Sequence, residues 1–128
     1  MRKIAILVGA VALLTVLFAG VALARNFTCT DRPCYGTNNA DTIFERAGDG
    51  VGDTIYGRQG PDNINATTFT NDNDFLYGQR GNDRLDATDG DFNDYINGGR
   101  GIDRCFGDVS ATDSDTFVNC EFINGVAV

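Results

Sequence analysis

The fold of this chain is decided by the stretch Gly78-Gln-Arg-Gly-Asn-Asp-Arg-Leu85 and its later copy Gly98-Gly-Arg-Gly-Ile-Asp-Arg-Cys105. In both, a Gly-x-x-Gly-x-Asp turn is followed by an apolar residue two places after the aspartate. Such units occur eight times, with their aspartates at Asp41, Asp53, Asp62, Asp74, Asp83, Asp94, Asp103 and Asp115. The steps between them are 12, 9, 12, 9, 11, 9 and 12 residues. The repeat is therefore a pair of units, present four times.

Each unit offers one apolar side chain in a strand of about three residues, which cannot close a core alone. A coil of two such strands can do so when it stacks on its neighbours. Flanking residues such as Thr42, Asn63 and Arg84 are polar, as alternation of faces along a strand requires. The predicted inward stripe is Ile43, Ile55, Ile64, Leu76, Leu85, Ile96, Cys105 and Phe117. The pattern predicts an all-β solenoid of about four two-strand coils.

Alternate units separate the turns into two sides of the coil. The turns that end at Asp41, Asp62, Asp83 and Asp103 form the glycine side, and three of these four read Gly-x-x-Gly-x-Asp. The turns that end at Asp53, Asp74, Asp94 and Asp115 are two or three residues longer and form the inserted side. They lack the paired glycines but are richer in carboxylates.

The tract Gly98-Gly-Arg-Gly-Ile-Asp-Arg-Cys-Phe106 resembles the nonapeptide G-G-x-G-x-D-x-U-x of the repeats-in-toxin, or hemolysin-type calcium-binding, family. The resemblance implies a right-handed parallel β-roll with calcium between successive turns, held by aspartate carboxylates and by carbonyls of the glycine-rich turn. The implied ligand residues are Asp41, Gly57, Gly60, Asp62, Gly78, Gly81, Asp83, Gly98, Gly99, Gly101 and Asp103, with Asp53, Asp74, Asp94 and Asp115 on the inserted side. The chain departs from the family pattern in those insertions and at Asn39, which replaces a glycine.

The chemistry of these residues also favours calcium. Calcium takes six to eight oxygen ligands, and carboxylates and carbonyls supply them. Stacked coils would hold the aspartates of one side in a file of like charges about 4.8 Å apart, which a cation turns into cohesion. We therefore expect metal binding and folding to be one event. Because the glycine side has the carbonyl-presenting turns, the sequence predicts that it binds first and the inserted side more weakly.

The two ends of the chain suggest export and capping. Arg2 and Lys3 precede an uncharged stretch, and Ala22-Leu-Ala24 has the small residues of a cleavage site. This order predicts a signal peptide over 1–24 and a secreted, extracellular protein, with attachment to the cell surface left open. Beyond it we predict an N-terminal cap at 25–35, the calcium-binding roll at 36–118 and a C-terminal cap at 119–128.

Charge limits the partners of the mature chain. After residue 24 the chain has 18 acidic side chains against 8 arginines, a formal charge of −10, and no lysine or histidine. This balance argues against nucleic acid and anionic membrane and favours cations. With the signal peptide removed, no stable membrane span is expected.

Four cysteines follow the predicted signal peptide, as two pairs near the two ends of the roll. An exported chain can keep disulfides. We favour the pairs Cys29 with Cys34 and Cys105 with Cys120, because each would close one end, while crossed pairings remain alternatives.

An enzyme is not expected, since the chain has no histidine and its only serines are Ser110 and Ser114. The sequence instead predicts a structural protein that folds on binding calcium. The alternative is a cell-surface adhesive module, rigidified by calcium, that binds extracellular polysaccharide or protein. Its surface would be the outward aromatics Tyr56, Phe75, Tyr77 and Tyr95, although we favour the interpretation that these cover the roll.

Overall fold

The computed structural model describes residues 24–46 and 50–128, and all regular structure in this part is β-strand. Of the predicted signal peptide, residues 1–23 lie outside the described residues, as does Asp49 of the first inserted turn. Odd-numbered strands build a first sheet together with the last strand: β1 Arg25–Thr28, β3 Asp41–Phe44, β5 Asn63–Asn65, β7 Arg84–Ala87, β9 Arg104–Gly107, β11 Phe122–Ile123 and β12 Val126–Ala127. The second sheet contains β2 Cys34–Tyr35, β4 Thr54–Gln59, β6 Phe75–Arg80, β8 Tyr95–Arg100 and β10 Thr116–Val118.

From β1 to β11 the chain visits the two sheets alternately, and each of these strands pairs in parallel with the strand one coil away. The register is constant, with Ile43 opposite Ile64 and Ile64 opposite Leu85 in the first sheet. In the second sheet Ile55 lies opposite Leu76. The arrangement is a parallel β-solenoid of about four turns, which confirms the predicted all-β coil.

The core is a single column of side chains between the two sheets. All of the predicted inward residues except Phe117 are fully buried, and Phe117 packs against them. Each contributes about 1.5 to 3 kcal/mol of hydrophobic stabilisation. One large apolar side chain per strand, with the small Ala66 and Ala87 beside them, makes a narrow core. Polar interactions along the turns therefore have a large share in holding the coils together.

Both disulfide predictions are confirmed, since the structure pairs Cys29 with Cys34 and Cys105 with Cys120 and leaves no cysteine free. The first bridge joins the ends of β1 and β2, which pair with β3 and β4 in the register of the roll. At the other end β11 continues the first sheet, and β12 folds back on it antiparallel. Because β12 occupies this edge of the first sheet, no further strand can pair in parallel with β11.

Crowding between coils explains the second glycine of the three Gly-x-x-Gly-x-Asp turns. A Cβ on Gly81 would lie 1.9 Å from the carbonyl oxygen of Gly60, and one on Gly101 would lie 1.5 Å from that of Gly81. These residues also have φ values of 154° and 150°, which L side chains rarely adopt. The turns therefore stack backbone on backbone, with no space for a side chain.

The residue after the first glycine is held in the left-handed region in three turns. Its φ is 84° at Arg58, 75° at Gln79 and 101° at Gly99. The nonapeptide pattern has glycine here, and only Gly99 keeps it. A non-glycine residue in this conformation costs about 1 to 2 kcal/mol, so Arg58 and Gln79 store strain in the two middle turns.

Replacing Gly60 by alanine should destabilise the fold far more than replacing Gly90. The two glycines have nearly the same φ, 100° and 102°. A Cβ at Gly60 would meet the Asn39 carbonyl carbon at 2.6 Å, whereas at Gly90 the nearest atom is the Thr70 methyl at 3.6 Å. We expect the difference in unfolding free energy, measured by urea denaturation with calcium present, to exceed about 2 kcal/mol. Equal losses would show that φ alone requires glycine at these turns.

Candidate metal centre

The eight repeat aspartates are buried, none more than 3% exposed. On the glycine side the Oδ1 of Asp41 accepts the Arg25 N–H at 3.3 Å, and the Oδ1 of each later aspartate accepts the backbone N–H of the aspartate one coil earlier. Asp62 accepts from Asp41, Asp83 from Asp62, and Asp103 from Asp83, each at 2.8 Å. The file ends at Glu121, whose Oε2 accepts the Asp103 N–H at 2.7 Å, a role that sequence reasoning missed. The carboxylates thus connect the coils as a ladder.

The inserted side carries a second ladder of the same kind. Asp74 accepts from the Asp53 N–H at 2.6 Å and Asp94 accepts from the Asp74 N–H at 2.8 Å. Asp115 accepts from the Asp94 N–H at 3.1 Å. Successive coils, whose aspartates are 20 or 21 residues apart, are therefore joined by one aspartate side chain each.

Only one oxygen of the inner aspartates is used in this way. The Oδ2 atoms of Asp62, Asp74, Asp83, Asp94 and Asp103 are buried without a hydrogen-bond partner. On the glycine side they lie against the first glycine of their own turn, where a Cβ on Gly57 or Gly78 would be 2.4 Å from the Oδ2. That glycine makes room for the carboxylate. A buried, unpartnered carboxylate oxygen is costly unless a proton or a cation satisfies it.

The outermost aspartates of the ladders are different. Asp41 accepts from the Thr37 N–H at 2.6 Å and the Thr37 hydroxyl at 2.9 Å through Oδ2. Asp53 forms a salt bridge with Arg32 at 2.6 Å, and its Oδ2 accepts from the Arg46 N–H. The last aspartate of the inserted side, Asp115, accepts the Asp108 N–H at 2.6 Å through Oδ2. These three aspartates are thus compensated by the protein, while the five inner aspartates are left with a free oxygen.

Burial shifts the titration of the inner carboxylates toward neutral pH. Desolvation, reinforced by neighbouring carboxylates, raises the pKa of Asp62 and of Asp74 to about 7. The same causes raise the pKa of Asp83 to about 6 and that of Asp94 to about 8. The pKa values of Asp103 and Asp115 are also raised, chiefly by burial. In the absence of a cation the ladders therefore resist full ionisation.

Within the described residues, three groups of carboxylates converge closely enough to hold a metal ion. The groups are Glu45, Asp72 and Asp74; then Asp72, Asp89 and Asp91; then Asp91, Asp94 and Asp115. Within each group, the ligand oxygens lie within 4.8 Å of one another. All three groups belong to the inserted side. From the predicted set, one group contains Asp74 and another contains Asp94 together with Asp115. The other four members of the groups are residues that the repeat did not identify.

Those four additional residues come from the inserted segments. Glu45 directly follows β3, and its position corresponds to that of Ala66 in the next coil. The Glu45 carboxylate accepts the Thr68 N–H. Asp91 accepts the N–H of Asn71 at 2.8 Å, which ties two inserted turns together. The sequence feature that could have identified them was the excess of carboxylates in the long turns. These carboxylates have no common spacing, so the repeat did not reveal them.

The donor set fits a hard cation. Every candidate ligand side chain is a carboxylate, the chain contains no histidine, and its cysteines are all in disulfides. Oxygen-only sites suit calcium, magnesium or manganese rather than zinc or copper. The buried, unpartnered Oδ2 atoms supply the oxygens that such an ion would take up. The glycine side has such oxygens as well, but none of the three carboxylate groups.

The aromatic residues of the second sheet form a column on its outer surface. The rings of Tyr35 and Tyr56 stack at 5.2 Å and those of Tyr56 and Tyr77 at 4.8 Å between centroids. Tyr95 packs against Tyr77 at a tilt of 45°. The rings cover one another's faces, so the column stabilises the stacking of coils.

Comparison with protein-family models, with curated proteins and with solved structures gives no match for this chain. The likeness to the repeats-in-toxin family therefore rests on the repeat residues alone. In the part of the chain that the structure describes, no helix has the length and apolar character needed to cross a membrane.

Proposed function

We propose that this chain is a secreted calcium-binding β-roll protein, which folds when calcium binds between its stacked turns and which has a structural role. The observation that carries the proposal is the file of buried aspartates whose Oδ2 atoms have no partner. Such oxygens need a proton or a cation, and extracellular calcium is the abundant cation that prefers this donor set.

The electrostatics support coupling of binding and folding. Adjacent coils hold their ladder carboxylates about one strand spacing apart, where like charges repel by several kcal/mol per pair at an effective dielectric near 20. The narrow apolar core offers little to offset repulsion summed over two ladders. A cation shared by neighbouring coils removes this repulsion, and its binding free energy then becomes folding free energy.

Two disulfides support an extracellular location, since such bonds persist in oxidising compartments. A structural role is favoured over adhesion because the aromatic column is stacked on itself. Binding of a polysaccharide to that surface remains the alternative hypothesis. It predicts that a soluble wall polysaccharide raises the melting temperature of the calcium-loaded protein.

Removing calcium should unfold the mature protein at neutral pH. With disulfides oxidised, far-UV circular dichroism should change from β-rich to largely disordered in excess chelator and recover on addition of calcium. Extracellular modules bind with dissociation constants of about 10⁻⁴ to 10⁻³ M, so the midpoint should lie in that range. The stacked tyrosines give a near-UV signal that should vanish in parallel. A β-rich spectrum that is unchanged in chelator at pH 8 would contradict the proposal.

A further inference from the structure

The three carboxylate groups of the inserted side are not separate. The first and second share Asp72, and the second and third share Asp91. Seven side chains thus form one acidic chain across successive coils: Glu45, Asp72, Asp74, Asp89, Asp91, Asp94 and Asp115. We propose that this acidic chain is a multi-ion calcium site, in which Asp72 and Asp91 bridge neighbouring ions, and that it fills before the glycine side. The inference rests on the proposed function and names where the first ions bind.

The number of carboxylates favours the inserted side. Each of its groups supplies three, whereas the glycine side contributes one ladder aspartate per turn. Carboxylate count is a main determinant of calcium affinity, because every added negative charge lowers the free energy of the bound cation. The acidic chain should therefore bind more tightly, which is the reverse of the order that the glycine pattern predicts.

An independent observation indicates that the acidic chain is built for a ligand. Asp74 and Asp94 are 0% and 1% exposed, and both belong to it. Their Oδ1 atoms are occupied by the N–H groups of the preceding coils, while their Oδ2 atoms are buried without a partner. No rearrangement of the backbone is needed to offer these oxygens. A cation held with Glu45 or Asp115 would satisfy them.

Bridging has a thermodynamic consequence. An ion bound in one group orders the coils that supply its carboxylates, so the next group is already assembled when its own ion binds. Asp91 is already fixed by the Asn71 N–H from the preceding coil and by the Asn93 N–H at 3.1 Å. The ions should therefore bind cooperatively, and the coupling must act in both directions.

Calorimetric titration of chelator-stripped, oxidised protein with calcium chloride tests this site. Asp91→Asn removes a carboxylate shared by two groups, whereas Asp89→Asn affects one group. Asp113→Asn is the matched control, because Asp113 is exposed, lies on the same side and belongs to no group. We expect Asp91→Asn to weaken the tightest phase at least tenfold and to lower its stoichiometry by two ions. Asp89→Asn should remove one ion, and the control should match wild type.

Three results would overturn the site in distinguishable ways. If Asp91→Asn and Asp89→Asn titrate like Asp113→Asn while Asp62→Asn loses the tight phase, calcium first binds the glycine side and only this inference fails. If wild type takes up no calcium, the proposed function fails with it. If Asp91→Asn remains unfolded at saturating calcium, the variant Asp89→Asn provides the test, because Asp89 is only half-buried. An unchanged tight phase in Asp89→Asn would then reject the acidic chain as the first calcium site.

Discussion

The chelated protein is expected to regain its β structure when the pH is lowered from 8 to about 5. Burial raises the pKa of Asp62 and Asp74 to about 7 and that of Asp94 to about 8 in the folded chain. In the unfolded chain an aspartate titrates near pH 3.9. Between these values the folded state binds more protons than the unfolded state, so the free energy of unfolding falls as the pH rises.

This stabilisation is complete below about pH 4 and is lost as the pH rises through 6 to 8. Over the two ladders it amounts to several kcal/mol, enough to decide whether a small domain folds. Protons thus replace calcium by neutralising the same Oδ2 atoms. The usual acid destabilisation of a protein with ionised, paired carboxylates is reversed here.

Circular dichroism from pH 4 to pH 9, with and without calcium, measures the effect. In chelator the β signal should fall with a midpoint between pH 6 and 8, whereas with excess calcium it should persist to pH 9. The samples with calcium are the control for damage to the disulfides, because they pass through the same pH range. A chelated protein more stable at pH 8 than at pH 5 would show that the ladder carboxylates are ionised in the metal-free fold.

The double variant Asp62→Asn with Asp83→Asn should change stability in opposite directions in chelator and in calcium. An asparagine keeps the Oδ1 that accepts the N–H of the preceding aspartate. Its neutral amide group replaces the buried, unpartnered Oδ2. At pH 8 the metal-free variant should gain about 2 to 4 kcal/mol, because two buried charges are removed. In calcium it should lose the stabilisation that these sites contribute.

The matched control is Asp62→Ala with Asp83→Ala, which removes the charges and the acceptors together. It leaves the buried N–H groups of Asp41 and Asp62 unsatisfied at about 1 to 3 kcal/mol each. Circular dichroism in chelator from pH 4 to pH 9 should show that the asparagine variant keeps its β structure to a higher pH than wild type and than the alanine variant. An asparagine variant less stable than wild type in chelator would mean that the ladder charges do not oppose folding.

Sequence periodicity was sufficient to determine the coil. Aspartates at steps of 9 and of 11 or 12 residues, each followed by an apolar residue two places on, define the parallel register and the inward column of Ile43, Ile64 and Leu85. A solenoid makes this possible because each coil contacts only its neighbours, so contacts across the fold repeat with the period of the chain. The same logic favoured the disulfide pairs, since each pair of cysteines stands at one end of the repeats, and the structure decided between these and the crossed pairings.

Only the tertiary structure decided which carboxylates converge and what each oxygen contacts. Glu45 and Asp72 meet although they lie in different inserted turns, because the insertions have no common spacing and their course depends on packing. The repeat likewise makes Asp41 and Asp62 equivalent. In the structure Thr37 donates to the Oδ2 of Asp41, whereas the Oδ2 of Asp62 is buried without a partner. A repeating sequence determines which residues stack, but hydrogen bonding and burial, which differ from coil to coil, determine where charge is left for a cation.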